Sequence, residues 1–282
     1  MKRNILIFVT AILIFSCSSQ PKNPGDVNII RRQTEKELGI ANREAGKANY
    51  ELAKGLMEEC KRKAISVDDW GLIIRCSLSL GNVLLSMGQD AAAYSEWEKA
   101  VQLAQKHGNK ELLSASKIYR ARGALISGKA SADYVLNEVI SETANIKNDK
   151  LYIAFSWQVK GLAYRALGSY KEAENAFKQS LDIHEKEKYL DNASFDWYTI
   201  ASIRSMSGNT QGAIQALEEA IKLDRRIENS WGLAANWRAL GDIQRKAGNI
   251  QAAKEAYLRA KDIYTSLMSF KDAAEIDKRM EN

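Results

Sequence analysis

Proline is almost missing from this chain. Among 282 residues there are two, Pro21 and Pro24, and none follows them. A long stretch with every backbone N–H intact, rich in Ala, Leu, Glu and Lys, favours helix. Histidine is nearly as scarce: His107 and His184 have no Cys or second His at ligand spacing. That pattern argues against a metal site, and a His near a helix end is more simply drawn there by the negative end of the helix. Three cysteines, Cys17, Cys60 and Cys76, are too few for a disulfide framework. The glycines never cluster into a phosphate loop. Acidic and basic residues alternate, and nothing selects a carboxylate pair for acid–base work. The formal charge of +6 is spread along the chain, without a basic arm for nucleic acid. The expectation is a protein that is no enzyme and needs no cofactor and no metal.

Long apolar runs are also lacking. The stretch from Ile5 to Phe15, after Lys2 and Arg3, falls short of the roughly 20 residues that a membrane helix needs. It fits the apolar part of an export signal. The block Ile14-Phe15-Ser16-Cys17 resembles the lipobox of bacterial lipoproteins. That resemblance implies a signal peptide over 1–16, lipidation of Cys17, and a flexible tether over 17–27 that contains both prolines. Several acyl chains, at about 0.8 kcal/mol per buried CH₂, make such an anchor close to permanent. With Ser18 after the cysteine, the expected location is the bacterial cell envelope, at the periplasm-facing outer membrane.

What the chain has in abundance is repetition. Gly88, Gly128, Gly168, Gly208 and Gly248 recur in step, as do Trp157, Trp197 and Trp237. Gly81, Gly161 and Gly241 share a phase, with Ala121 and Ala201 between them. Within residues 154–183 two amphipathic runs flank Gly168, and the small residues Gly161, Ala173 and Ser180 allow close approach of the two. This reads as a helical hairpin. The ordered set Trp157, Gly161, Tyr164, Gly168, Tyr170, Ala173, Phe177 and Ser180 resembles the tetratricopeptide repeat signature, in a long form with a 40-residue period. The fold class expected is all-α: an α-solenoid over 28–282 with about six hairpins and a C-terminal capping helix. Two hairpins are degenerate. Around Gly128 the second helix fits if its register slips by one, placing Ala132 and Leu136 inside. The first hairpin is matched on Gly39 and Gly46.

Cys60 and Cys76 fall at similar heights on antiparallel helices, which leaves open either a disulfide or two buried thiols. The resemblance implies that first helices line a concave face. Carried over position by position, the candidate partner-binding residues are Arg75, Asn82, Arg122, Phe155, Gln158, Arg165, Phe195, Tyr198, Arg238, Asp242 and Arg245. Recurrent arginines suit carboxylates, which the planar guanidinium can hold with two hydrogen bonds. The expected function is a lipid-anchored adaptor or scaffold that binds another envelope protein or peptide. The alternative is a transporter-associated lipoprotein that takes a small hydrophobic or anionic ligand in a central cavity. An open groove favours the first, and a sealed pore lined by Phe155, Phe195 and Tyr198 the second. The resemblance also brings in envelope assembly, secretion and transport pathways without choosing among them.

Overall fold

A computed structural model describes residues 29–281. The expected signal peptide, Cys17 and the tether lie outside the described residues. Within them the chain forms thirteen helices. They are α1 (Ile29–Gly46), α2 (Tyr50–Ser66), α3 (Trp70–Ser86), α4 (Asp90–Lys106), α5 (Lys110–Ile126), α6 (Ala132–Thr143) and α7 (Lys150–Ala166). Then follow α8 (Tyr170–Lys186), α9 (Leu190–Met206), α10 (Thr210–Arg226), α11 (Ser230–Lys246), α12 (Ile250–Ser266) and α13 (Phe270–Glu281). The first twelve pair as antiparallel hairpins, and α13 covers the open side of the last. The odd-numbered helices touch one another from hairpin to hairpin, so they form the inner wall of the solenoid.

Three hairpins, α3–α4, α7–α8 and α11–α12, close on a match of small against large. Gly161 on α7 faces Phe177 on α8, and a Cβ on Gly161 would lie 2.5 Å from the phenyl ring. Gly241 meets Tyr257 at the same distance, 2.5 Å. Trp97 wedges between Gly81 and Gly123 and donates its indole N–H to the Leu78 carbonyl at 3.2 Å. Phe177, Tyr257 and Trp97 are all buried. Removing a Cβ therefore exchanges helix propensity for close packing of an aromatic ring.

Helix ends are closed by Schellman turns. At Gly208, with φ at +85°, the Asn209 N–H reaches the Arg204 carbonyl at 2.8 Å. The sequence places glycine at such turns inside most hairpins; between hairpins Gly108 is the one glycine among the described residues, and other residues adopt the same left-handed conformation. Lys188 (φ +61°) and Glu228 (φ +56°) occupy it.

Two readings are corrected here, and a third that the sequence left open is decided. In the first hairpin the left-handed position is Ala48 (φ +60°), and Gly46 is still helical. The matching of Gly46 to Gly88 was therefore off by two residues. In the third hairpin α6 buries Val135 and Val139, while Ala132 and Leu136 are only partly buried. The slip is two residues, because the turn after Gly128 is longer and Ser131 caps α6 by accepting the Tyr134 N–H at 3.3 Å. The two cysteines are free buried thiols, and Cys60 Sγ donates to the Thr34 carbonyl at 3.8 Å. Their packing as small apolar groups leaves no disulfide. Burial pushes the Cys76 thiol up to about 12.

Candidate functional site

The inner wall forms the site. A cavity of about 670 Å³ is bounded by α1, α3, α5, α7 and α9. A second space of about 800 Å³ lies between α5, α7 and α9. Arg122, Leu162 and Phe195 border both, so the two are one continuous groove. Phe195 is 48% exposed at the shared rim, as expected for an open trough and not for a sealed pore.

Of the predicted residues, Arg75, Asn82, Arg122, Phe155, Gln158 and Phe195 line the first space. Arg165 and Tyr198 line the second, with Arg122 and Phe195 again. Three do not join them. Arg238 borders neither space, and Asp242 and Arg245 are occupied by the capping helix. The Arg279 guanidinium donates to Asp242 Oδ1 at 2.8 Å, and Arg245 donates to the Arg279 carbonyl at 2.8 Å. Tyr257 also donates its hydroxyl to Asp242 at 2.8 Å. These two groove positions thus hold α13 in place, a correction that the repeat pattern could not reveal because α13 is not a repeat.

Neutralisation is uneven along the groove. Arg75 donates to Asp149 Oδ2 at 3.1 Å and lies 5.6 Å from the Tyr152 ring centroid. Burial opposes its charge, but Tyr152, Asp149 and Glu35 outweigh this and its pKa is raised. Asp149 also caps α7 by accepting the Leu151 and Tyr152 N–H groups at 3.1 and 3.3 Å. The segment before it is pinned by Glu111, whose carboxylate accepts the backbone N–H groups of Lys147, Asn148 and Asp149.

Arg122 is different. Its guanidinium donates to the neutral Asn82 Oδ1 at 3.3 Å and sits 6.0 Å from the Phe155 ring, which stacks on Tyr119 at 4.0 Å. Among the described residues no carboxylate pairs with it, and burial lowers its pKa, with Tyr119 opposing. The Arg165 guanidinium has neither a hydrogen bond nor an ion pair among the described residues.

Sequence reasoning missed a polar knot in the groove wall. His184 is buried, and its Nδ1 lies 2.7 Å from Asp196 Oδ2. Asp196 also accepts from Ser180 Oγ at 2.8 Å and from Gln158 Nε2 at 2.7 Å. His184 therefore serves this buried acid, not the end of its helix. One hairpin later the roles are exchanged: Asp224 accepts from Asn236 at 2.7 Å. Burial pushes Asp224 up to about 6, with Ser194, Asn229 and Asn236 pulling the other way. The signal was available as His184/Asp224 and Asp196/Asn236, polar pairs at equivalent repeat positions. No group of three or more His, Cys, Asp or Glu suited to a metal occurs among the described residues. Nor is any described helix long and apolar enough to cross a membrane.

The tetratricopeptide repeat family model matches residues 156–187, 197–227 and 234–266. That of anaphase-promoting complex subunit 5 matches residues 73–122. Among curated proteins, a photosystem I assembly protein, Ycf3, from Synechococcus elongatus is 28% identical over 119 residues, which span 42% of this chain and 67% of the relative. Among solved structures, a Rap protein complexed with competence and sporulation factor aligns with a TM-score of 0.61 at 17% identity, over 87% of this chain and 73% of that one. The Rap conjugation gene regulator of plasmid pLS20, in complex with the Phr* peptide, aligns at 0.58 and 15% identity, over 94% and 79%. These structural likenesses establish the fold as an α-solenoid of helical repeats.

Proposed function

We propose that this tetratricopeptide-repeat protein is an adaptor that holds an extended segment of a partner protein in its inner groove, and that it carries out no chemistry of its own. The observation that carries the reading is the continuity of the groove through Arg122, Leu162 and Phe195. An unbroken open trough across five first helices accommodates a strand of peptide better than a compact small molecule. Asn42 and Asn192 line it, and their side-chain amides make no hydrogen bond within the described residues. A side-chain amide offers both a donor and an acceptor, the complement of a peptide backbone. Peptide complexes among the structural neighbours support the same reading, since two Rap proteins of this fold were solved with a bound factor or peptide.

The partner belongs to the bacterial envelope in this proposal, because Ile14-Phe15-Ser16-Cys17 has the pattern of a lipidation site. Lipid on Cys17 would tether the groove to the periplasmic face of the outer membrane. Palmitate incorporation into the full chain, abolished by Cys17→Ala, is the expected result; unchanged incorporation would reject the anchor. The groove is tested with a photo-crosslinking residue at position 198 and a control at the half-exposed Glu98 on α4. A discrete crosslinked partner from position 198 and none from 98 is expected. Equal crosslinking from both positions would reject the groove assignment.

A further inference from the structure

The groove has two electrically different halves. In the half built on α1 and α3, Arg75 is matched by Asp149, and Glu35 lines the same space. In the half between α5, α7 and α9, Arg122 and Arg165 are the charged lining residues, and no carboxylate lines that space. Leu125, Ile126, Leu162 and Met206 supply its apolar surface. We infer that this half is an acidic-peptide subsite, which takes a carboxylate side chain flanked by apolar residues, while the half near Arg75 takes uncharged sequence.

The argument is one of compensation. A guanidinium held against aromatic rings loses part of its hydration, and it recovers most from an anion that fits its two-pronged face. Arg75 has such an anion within the protein, whereas Arg122 has only a neutral amide. An incoming Asp or Glu completes what the fold leaves unfinished. Apolar neighbours of that residue would cover Leu162 and Met206 and shield the pair from water. The wall offers no acidic group to repel it in this half.

This inference rests on the peptide reading above, and one experiment separates the two. The full-length chain, immobilised in detergent, is exposed to a random dodecapeptide library, and retained peptides are sequenced by mass spectrometry. Enrichment of Asp or Glu beside Leu, Ile, Met or Phe is expected, at tenfold or more over the input. The double variant Arg122→Gln/Arg165→Gln should retain peptides without that enrichment, and Arg238→Gln, outside the groove, should behave as the parent. Circular dichroism confirms that each variant is folded. A parent chain that retains peptides with no acidic preference overturns the subsite and leaves the peptide reading standing. A parent that retains no peptide overturns both.

Discussion

Replacing Gly161 with Ala tests whether small-against-large matching sets the hairpin spacing. The new Cβ would lie 2.5 and 2.6 Å from two carbons of the Phe177 ring and 3.3 Å from the Ala173 carbonyl oxygen. Phe177 is fully buried, so its ring can move only by displacing its neighbours. Overpacking of this kind costs about 1–3 kcal/mol, and the better helix propensity of Ala returns roughly 0.5–1 kcal/mol. The net expectation is a loss of about 1–2 kcal/mol. Phe177→Leu alone leaves a void and loses about 1–2 kcal/mol by the cavity rule. The next hairpin already carries the combination: Ala201 and Leu217 stand at the equivalent positions and are both buried. The double variant Gly161→Ala/Phe177→Leu should therefore be more stable than the sum of the singles predicts, by about 1 kcal/mol or more. Urea unfolding followed by circular dichroism measures the cycle. Hydrogen exchange of α7 and α8 reads it locally, which matters because a repeat array can unfold in segments. Additivity within about 0.3–0.5 kcal/mol would refute the reasoning.

Three further outcomes are expected. Lys188→Gly should stabilise the chain by roughly 0.5–1 kcal/mol in thermal or urea unfolding, because a Cβ is strained at φ +61°; a destabilised variant would count against the strain. Asp224, raised to about 6 in the fold from an ordinary value of 3.8, binds more protons folded than unfolded between those values. Its contribution to stability is therefore greatest in acid, falls as pH rises through about 4 to 6, and stays low above that, by up to about 3 kcal/mol in all. The difference between the pH–stability profiles of the parent and Asp224→Asn should show that fall, and a flat difference would contradict it. Cys76, with its thiol pushed up to about 12 and buried, should resist maleimide at pH 8 in the folded chain and react once urea is added; mass spectrometry of the labelled peptide decides.

The helices, their pairing and the capping helix were legible in the sequence because each depends on neighbours within a few turns. A glycine opposite an aromatic residue sixteen positions on, as with Gly161 and Phe177, leaves a pattern that repeats with the hairpin. The position of most groove residues followed from the resemblance to the tetratricopeptide repeat, carried along the same period. Where the repeat was irregular the reading slipped: a longer turn before α6 shifted it by two residues, and Ala48 took a role that glycine has elsewhere. The buried pairing of His184 with Asp196 was missed because two polar residues on separate helices look solvated until the helices are packed together.

By itself, then, the sequence determined the repeat unit, the all-helical class and the face of each first helix that turns inward. Only the tertiary structure decided which groove arginines are already neutralised. Arg75 finds Asp149 across 74 positions of chain, and Arg245 and Asp242 are taken by α13, while Arg122 and Arg165 keep their charge uncompensated by any carboxylate. The physical reason is range. Helix formation and hairpin packing are read from periodic side chains close in sequence, but a pair such as Arg75 with Asp149 forms only where stacking brings distant hairpins together. That stacking is set here by the irregular connection 144–149, which Glu111 holds against α5.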